Sequence, residues 1–272
     1  MSQATSSALP LVREVQALLR TRRFGKALRG YPTVDSTNTT AMHWANDGAP
    51  EGSVVIAEYQ RAGRGRHGRA WLATPGQNLT FSVVLRPSLP PPRLNLITLA
   101  ASIAIAETVE AYTAPLTTSI KWPNDVLLEG YKCCGMLLES TLAGPTGTTV
   151  ILGIGLNVNQ STFPTAFEGR ATSLLLQTGQ HVPRAPLLAE LLGRLEQYYE
   201  TLGTDDEAEI RRAYERRLHG LGRTTTLCMA GHEPPITGLV LGITDTGALR
   251  LHTDDGPRTF HAGEIRLANT FY

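Results

Sequence analysis

The sequence has 272 residues, 25 Lys+Arg against 24 Asp+Glu, 42% hydrophobic and 18% charged residues, which excludes disordered and fibrous classes. A chain of this size fills one large core, or a large one with a small companion. The net charge of +1 hides an uneven distribution. The 48 residues between Glu58 and Glu107 hold no acid and six arginines, Arg61, Arg64, Arg66, Arg69, Arg86 and Arg93, leaving 19 basic and 24 acidic groups in the other 224. Such a local electropositive patch asks for an anionic partner. The N-terminus shows no basic region followed by an apolar core, and the longest near-apolar run, Leu96 to Ala106, closes at Glu107, short of the roughly 18 to 20 residues of a membrane span. The expectation is a soluble, cytoplasmic protein with no membrane partner. Cys133, Cys134 and Cys228 fit reduced thiols, and the seven histidines lack zinc spacing, so no bound metal is expected.

Leu11, Val12, Val15, Leu18 and Leu19 recur at helical spacing and predict a helix over 10–22, then a basic link to Tyr31. Asp35, Ser36, Thr37 and Asn38 are N-cap residues before a short helix around 41–45 that Gly48 and Pro50 close. Ser53 to Glu58 and Leu79 to Leu85 read as strands flanking the arginine segment, and residues 94–112 as a helix buried against a sheet. Four short strands follow, over 120–122, 126–128, 133–139 and 149–158, then helical stretches at 172–178, 186–202 and 205–218. In the last of these Glu209, Arg212, Glu215 and Arg216 read as a solvated face. From Gly222 the pattern changes to short alternating strands, 224–229, 236–243, 248–251, 258–260 and 264–267, with Asp245-Thr246-Gly247 and Asp254-Asp255-Gly256 as hairpin signals. The architecture is α+β with a small β-rich barrel joined near 218–223.

Gly63-Arg64-Gly65-Arg66-His67-Gly68 matches the letters of the dinucleotide fingerprint and follows a strand. The context fails: a turn at Pro75-Gly76 stands where a helix should run, and no acid lies about 20 residues on for a ribose hydroxyl. No Gly-Lys-Ser/Thr follows either, so it is not a Walker A loop. A nucleic-acid interface suits the charge, yet the patch is one loop and aromatic platforms are scarce. Flexible glycines alternating with bidentate arginines between two strands best suit a small anionic ligand that must be wrapped.

An ordered series then becomes recognisable: Asp35-Ser36-Thr37-Asn38; Gln60 through Trp71 with the Gly-Arg alternation; Lys121-Trp122-Pro123-Asn124-Asp125; Lys132-Cys133-Cys134-Gly135-Met136-Leu137-Leu138-Glu139; and Gly153-Ile154-Gly155-Leu156-Asn157-Val158-Asn159. It resembles the biotin protein ligases, which activate biotin with ATP and attach it to a lysine of biotin carboxyl carrier domains. The likeness runs from about Tyr31 through Gly247-Ala248-Leu249 and Gly263-Glu264-Ile265. It implies a catalytic domain over 31–220 with a mixed central sheet flanked by helices, class II synthetase-like, and an SH3-like β-barrel domain over 221–272; the helix and lead-in read from the apolar spacing occupy 1–30. The family's regulatory members carry an N-terminal winged helix; without one the chain resembles the ligase-only form, and no nucleic-acid partner is expected.

The resemblance also assigns residues. Ser36, Thr37, Asn38 and Gln60 face the ureido head of biotin, with Trp71 and Gly135 lining its apolar pocket. Arg64, Gly65 and Arg66 close over the valerate and phosphates, and Lys132 holds the biotin carboxylate and the charge developing at the α-phosphate, so Lys132 and Arg66 are the catalytic pair. Arg69, Lys121, Asn124, Asp125 and Asn157 take the nucleotide side, with Asp125 a helper of magnesium. ATP with Mg2+ is the implied co-substrate, biotin the substrate and the carrier domain the partner; no permanently bound cofactor is implied, and a homodimer stays open. Taken singly, Ser36 to Asn38 also read as a helix cap, Trp122-Pro123 as a structural turn and Lys132 as a surface lysine. The Cys133-Cys134 pair reads as packing, His67 receives no role, and lipoate ligases are the same-class rival.

Overall fold

The computed structural model describes residues 9–144, 147–167, 169–229 and 234–266. Helix α1 (Pro10–Leu18) ends sooner than its apolar spacing predicts. The Glu196 carboxylate takes the backbone N–H groups of Arg22, Arg23 and Phe24 at 2.7, 2.6 and 3.0 Å, which turns the chain where a longer helix would have run. Strand β1 (Leu28–Val34), helix α2 (Thr37–Asn46) and strand β2 (Val54–Gln60) form a βαβ unit with β1 and β2 parallel. β1 escaped the sequence reading because Arg29 and Pro32 interrupt its alternation; it is an edge strand, where both residues are tolerated, and Arg29 lies over the Trp44 ring at 4.0 Å.

The remaining strands of this sheet are β3 (Leu79–Leu85), β4 (Thr118–Lys121), β5 (Asp125–Leu128), β6 (Tyr131–Gly144) and β7 (Gly147–Leu156). Their order is β1-β2-β3-β7-β6-β5-β4, antiparallel throughout except for β1 with β2, which makes the sheet mixed as expected. β4 stops before Trp122, whose indole is buried and donates to the Gly247 carbonyl at 3.0 Å. β6 runs on past Glu139, and β7 ends before Val158, whose N–H turns to Asn78 Oδ1 at 2.9 Å.

Period-two alternation splits this sheet into two faces. Val54 and Ile56 of β2, Phe81 and Val83 of β3, and Leu152 and Ile154 of β7 join the main core, beneath α3 (Asn95–Thr113) and α5 (Arg184–Thr201). The intervening Val55, Ala57, Val84 and Ile151 pack with Ala41 and Ala45 of α2 on the other face. Ser82, Gly153 and Gly155 share that second face, and there the ligand site forms.

After α4 (Leu174–Thr178), α5 and α6 (Glu207–Arg217), the chain enters a five-stranded antiparallel sheet: β8 (Thr224–Cys228), β9 (Ile236–Ile243), β10 (Leu249–Thr253), β11 (Gly256–Phe260) and β12 (Glu264–Arg266), in the order β11-β10-β9-β8-β12. This is the expected small β domain; Leu267 of the predicted last strand lies outside the described residues. Glu209 and Arg212 pair on the exposed face of α6, but Glu215 accepts the Ile243 N–H at 3.0 Å and ties α6 to the small domain.

Candidate active site

A cavity of about 700 Å³ opens on the α2 face of the large sheet, and every residue that the resemblance assigned lines it: Ser36, Thr37, Asn38, Gln60, Arg64, Gly65, Arg66, Arg69, Trp71, Lys121, Asn124, Asp125, Lys132, Gly135 and Asn157. Its floor is the unclothed backbone of Gly135, Gly153 and Gly155. A Cβ at Gly153 would lie 2.2 Å from Asn38 Oδ1, and one at Gly155 2.2 Å from Trp71 Cε2. Glycine is therefore a steric requirement here: the strands give up side chains so that others can lie flat on them.

One polar network occupies the α2 end. Gln60 Oε1 accepts from the Thr37 N–H at 2.7 Å and from the Thr37 hydroxyl at 3.0 Å. The Ser82 oxygen lies 2.8 Å from Thr37 Oγ1 and 2.6 Å from Asn38 Oδ1. Asn38 Nδ2 donates to Glu139 Oε2 at 2.7 Å, and Arg64 Nη2 pairs with Glu139 Oε1 at 3.1 Å. Ser36 is the N-cap of α2 by position only, since its side chain makes no capping bond; Thr37 and Asn38 lie inside the helix with their polar ends turned to the cavity.

The second network gathers charge. Lys132 Nζ lies 2.6 Å from Asp125 Oδ1, and Lys121 Nζ lies 3.4 Å from Asp125 Oδ2 and 3.1 Å from Glu264 Oε1. Arg69 completes the set on Glu264 at 2.6 Å. Burial alone would push the Glu264 carboxyl up, but the Arg69 hydrogen bond and the Lys121 ammonium prevail and hold it at about 2. Lys132 is no surface lysine: its N–H donates to Arg170 O and its carbonyl accepts from the Thr172 N–H, both at 2.9 Å, and its ammonium sits 5.8 Å from the Trp71 ring centre.

The arginine segment is now resolved. Arg61, Arg64, Arg69 and Arg93 pair with Asp35, Glu139, Glu264 and Glu207, all carboxylates from outside the segment. Arg86 binds the Glu51 carboxylate through its N–H and the Ala45 carbonyl through its guanidinium, which gives Arg86 and Arg93 structural duties. Arg66, among the described residues, forms no ion pair; it reaches Asn124 Oδ1 and the Gly263 carbonyl, each at 3.3 Å, and burial depresses its pKa. Asn124 is docked on β6, donating to Met136 O at 2.6 Å, while Asn157 donates to Thr172 O and keeps a buried Oδ1 without a donor. His67 lies in the loop at φ +55°. Both Cys133 and Cys134 are fully buried and burial raises their pKa values, to about 12 for Cys133, so neither is a nucleophile.

Ser82, Gly153, Gly155 and Glu264 received no role from the sequence. Ser82 was the lone serine in an apolar strand and the glycines alternated within one, signals that register assignment would have exposed. Phe163, Pro164 and Phe167 add a wall from the segment after β7.

Fold and site together define an enzyme of the biotin/lipoate A/B protein ligase class: that family's model matches residues 30–157, and the model of the biotin protein ligase C-terminal domain matches 220–267. The bifunctional ligase/repressor BirA of Bacillus spizizenii is 35% identical over 256 residues, 93% of this chain and 78% of that protein. The biotin–[acetyl-CoA-carboxylase] ligase of Mycobacterium tuberculosis is 36% identical over 85% of each chain. A solved structure, the biotin protein ligase of Aquifex aeolicus in complex with biotin and ATP, superposes with a TM-score of 0.77 at 30% identity, covering 89% of this chain and 98% of that one. The chain belongs to the biotin protein ligases.

Proposed function

We propose that this cavity activates biotin with ATP to biotinyl-5′-AMP and holds it for attack by the lysine of a biotin carboxyl carrier domain, with residue roles that follow from the two networks. The observation that carries the assignment is the polarity of the cavity. Neutral donors and acceptors on Thr37, Asn38 and Gln60, backed by the buried Ser82 hydroxyl, stand at one end, and the cations Lys132, Lys121, Arg66 and Arg69 at the other. Joining a carboxylate to the α-phosphate brings two anions together, so the gain comes from fixed positive charge and orientation; no protein nucleophile is needed.

The neutral end suits a ureido group, which both donates and accepts. Trp71, laid on Gly155 and beside Gly135, walls the apolar middle. Lys132 exchanges its Asp125 partner for the substrate carboxylate and the charge growing at the α-phosphate. Arg66, half-buried and without an ion pair among the described residues, is disposed to take the phosphates, and the free Asn157 Oδ1 accepts from a ribose hydroxyl or an amine.

Among the described residues no three His, Cys, Asp or Glu side chains gather into a metal cage. Asp125, a single carboxylate between two ammonium groups, fits magnesium only as an ion arriving on the triphosphate, where it neutralises phosphate charge. Pairing of the loop arginines with the protein's own carboxylates supports a small ligand over a nucleic acid, and three free cysteines suit the cytoplasm. The test is ATP–pyrophosphate exchange with biotin, with lipoate and with neither. Exchange only with biotin is expected; exchange that is equal without it refutes the reading.

A further inference from the structure

Glu139 lies on β6 behind two residues that line the cavity, Asn38 and Arg64, and bonds to both. Its Oε2 accepts from Asn38 Nδ2 at 2.7 Å, and its carboxylate pairs with Arg64 of the Gly-Arg loop at 3.1 and 3.4 Å. Arg64 also donates to Thr39 Oγ1 at 3.2 Å, so this guanidinium is turned toward α2, whereas Arg66 is turned toward Asn124 and the small domain.

The amide of Asn38 has chemically different ends, and its neighbours decide which end faces where. With Nδ2 committed to Glu139 and to the Leu137 carbonyl at 3.3 Å, Oδ1 is the end left beside Ser82 and over the bare backbone of Gly153. Had the carboxylate been absent, Nδ2 could turn inward and the site would present a donor where an acceptor now stands. Thr37 Oγ1, Ser82 and Asn38 Oδ1 form one connected group, so a reversal at Asn38 is felt through it.

We propose that Glu139 is a positioning residue with two separable effects: it fixes Asn38 with its carbonyl oxygen toward the ureido N–H of biotin, and it latches the loop through Arg64 so that head-group recognition and loop closure are coupled. The proposal rests on the biotin-activating reading above. The bond to Asn38 is charge-assisted and part-buried, with Asn38 itself buried, whereas the ion pair with Arg64 is solvent-exposed, 46% on the arginine and 36% on the glutamate, and releasable.

The two effects separate by substitution. Glu139→Gln keeps an oxygen that accepts from Asn38 Nδ2 but loses the charge that holds Arg64; Glu139→Ala loses both, and Glu139→Thr, a strand former too short to reach, replaces it should the alanine variant fold poorly. Exchange kinetics and dissociation of preformed biotinyl-AMP are measured on each, with thermal melting as the folding control. E139A is expected to raise the biotin KM about tenfold or more with kcat at saturating biotin within about threefold. E139Q is expected to keep KM within about threefold while releasing the adenylate about two to five times faster. An E139A or E139T protein with wild-type KM overturns the Asn38 half, as does a glutamine variant no better than alanine. Unchanged adenylate release in E139Q overturns the latch. Biotin-independent exchange by the wild type defeats the underlying reading instead, an outcome these variants do not produce.

Discussion

Replacing Gly155 by alanine tests whether the bare floor of the cavity sets the substrate pocket. The added Cβ would fall 2.2, 2.4 and 2.6 Å from Cε2, Cζ2 and Nε1 of Trp71, while comfortable carbon contacts lie at about 3.5–4.0 Å. The indole must therefore retreat by more than about 1 Å, and with β7 paired to β3 and β6 on either side, the ring yields before the strand does. Overpacking of this kind costs about 1–3 kcal/mol. Because Trp71 borders open cavity, that energy appears when biotin must share the space, as a roughly 5- to 150-fold rise in biotin KM. Thermal melting should move only slightly. The assay is biotin-dependent pyrophosphate exchange at varied biotin, run also in Trp71→Ala and the double variant. With the indole gone, G155A should add little further cost, a non-additivity diagnostic of direct contact. A wild-type KM in G155A, or fully additive effects, refutes the argument.

Lys132→Ala is expected to lower the exchange rate at least about a hundredfold with the fold intact by circular dichroism, and residual activity above a tenth would remove Lys132 from the reacting end. Arg66→Gly should speed loss of biotinyl-AMP by about tenfold or more while the biotin KM stays within about threefold, because its partners Asn124 and Gly263 lie away from Thr37 and Asn38; equal effects on both would erase that distinction. Glu264, held at about 2 against an ordinary value near 4.3, stabilises fully above pH of about 4.5 and loses that contribution as pH falls toward 2. The melting-temperature advantage of wild type over Glu264→Gln should accordingly be constant from pH 7 to 5 and narrow below about 4.5; a gap that widens toward acid would reverse the sign of the reasoning.

Much of this site was legible in the sequence because its residues cluster in short runs of unusual chemistry, such as the Gly-Arg alternation and Lys121 to Asp125. What stayed hidden depended on pairing across the sheet. Ser82 and Gly153 become partners of Asn38 only when β3 is placed beside β7, a relation spanning some 70 residues that no local pattern encodes. β1 was missed because an edge strand can hold Arg29 and Pro32 and so lacks the apolar signal. The helix at 10–22 was overdrawn since periodicity cannot foresee Glu196 capturing three N–H groups from 172 to 174 positions away. Glu215 looked solvated by composition and proved to be a tether for Ile243.

The cavity draws its lining from Ser36 at one extreme and Arg266 at the other. A chain emerging from the ribosome can complete the large sheet and its glycine floor long before Gly263 and Glu264 arrive to meet Arg66, Arg69 and Lys121. Closure of the charged end is thus deferred until synthesis has passed β12, and a product that stops before Gly263 carries the α2 end of the cavity without these partners for Arg66, Arg69 and Lys121.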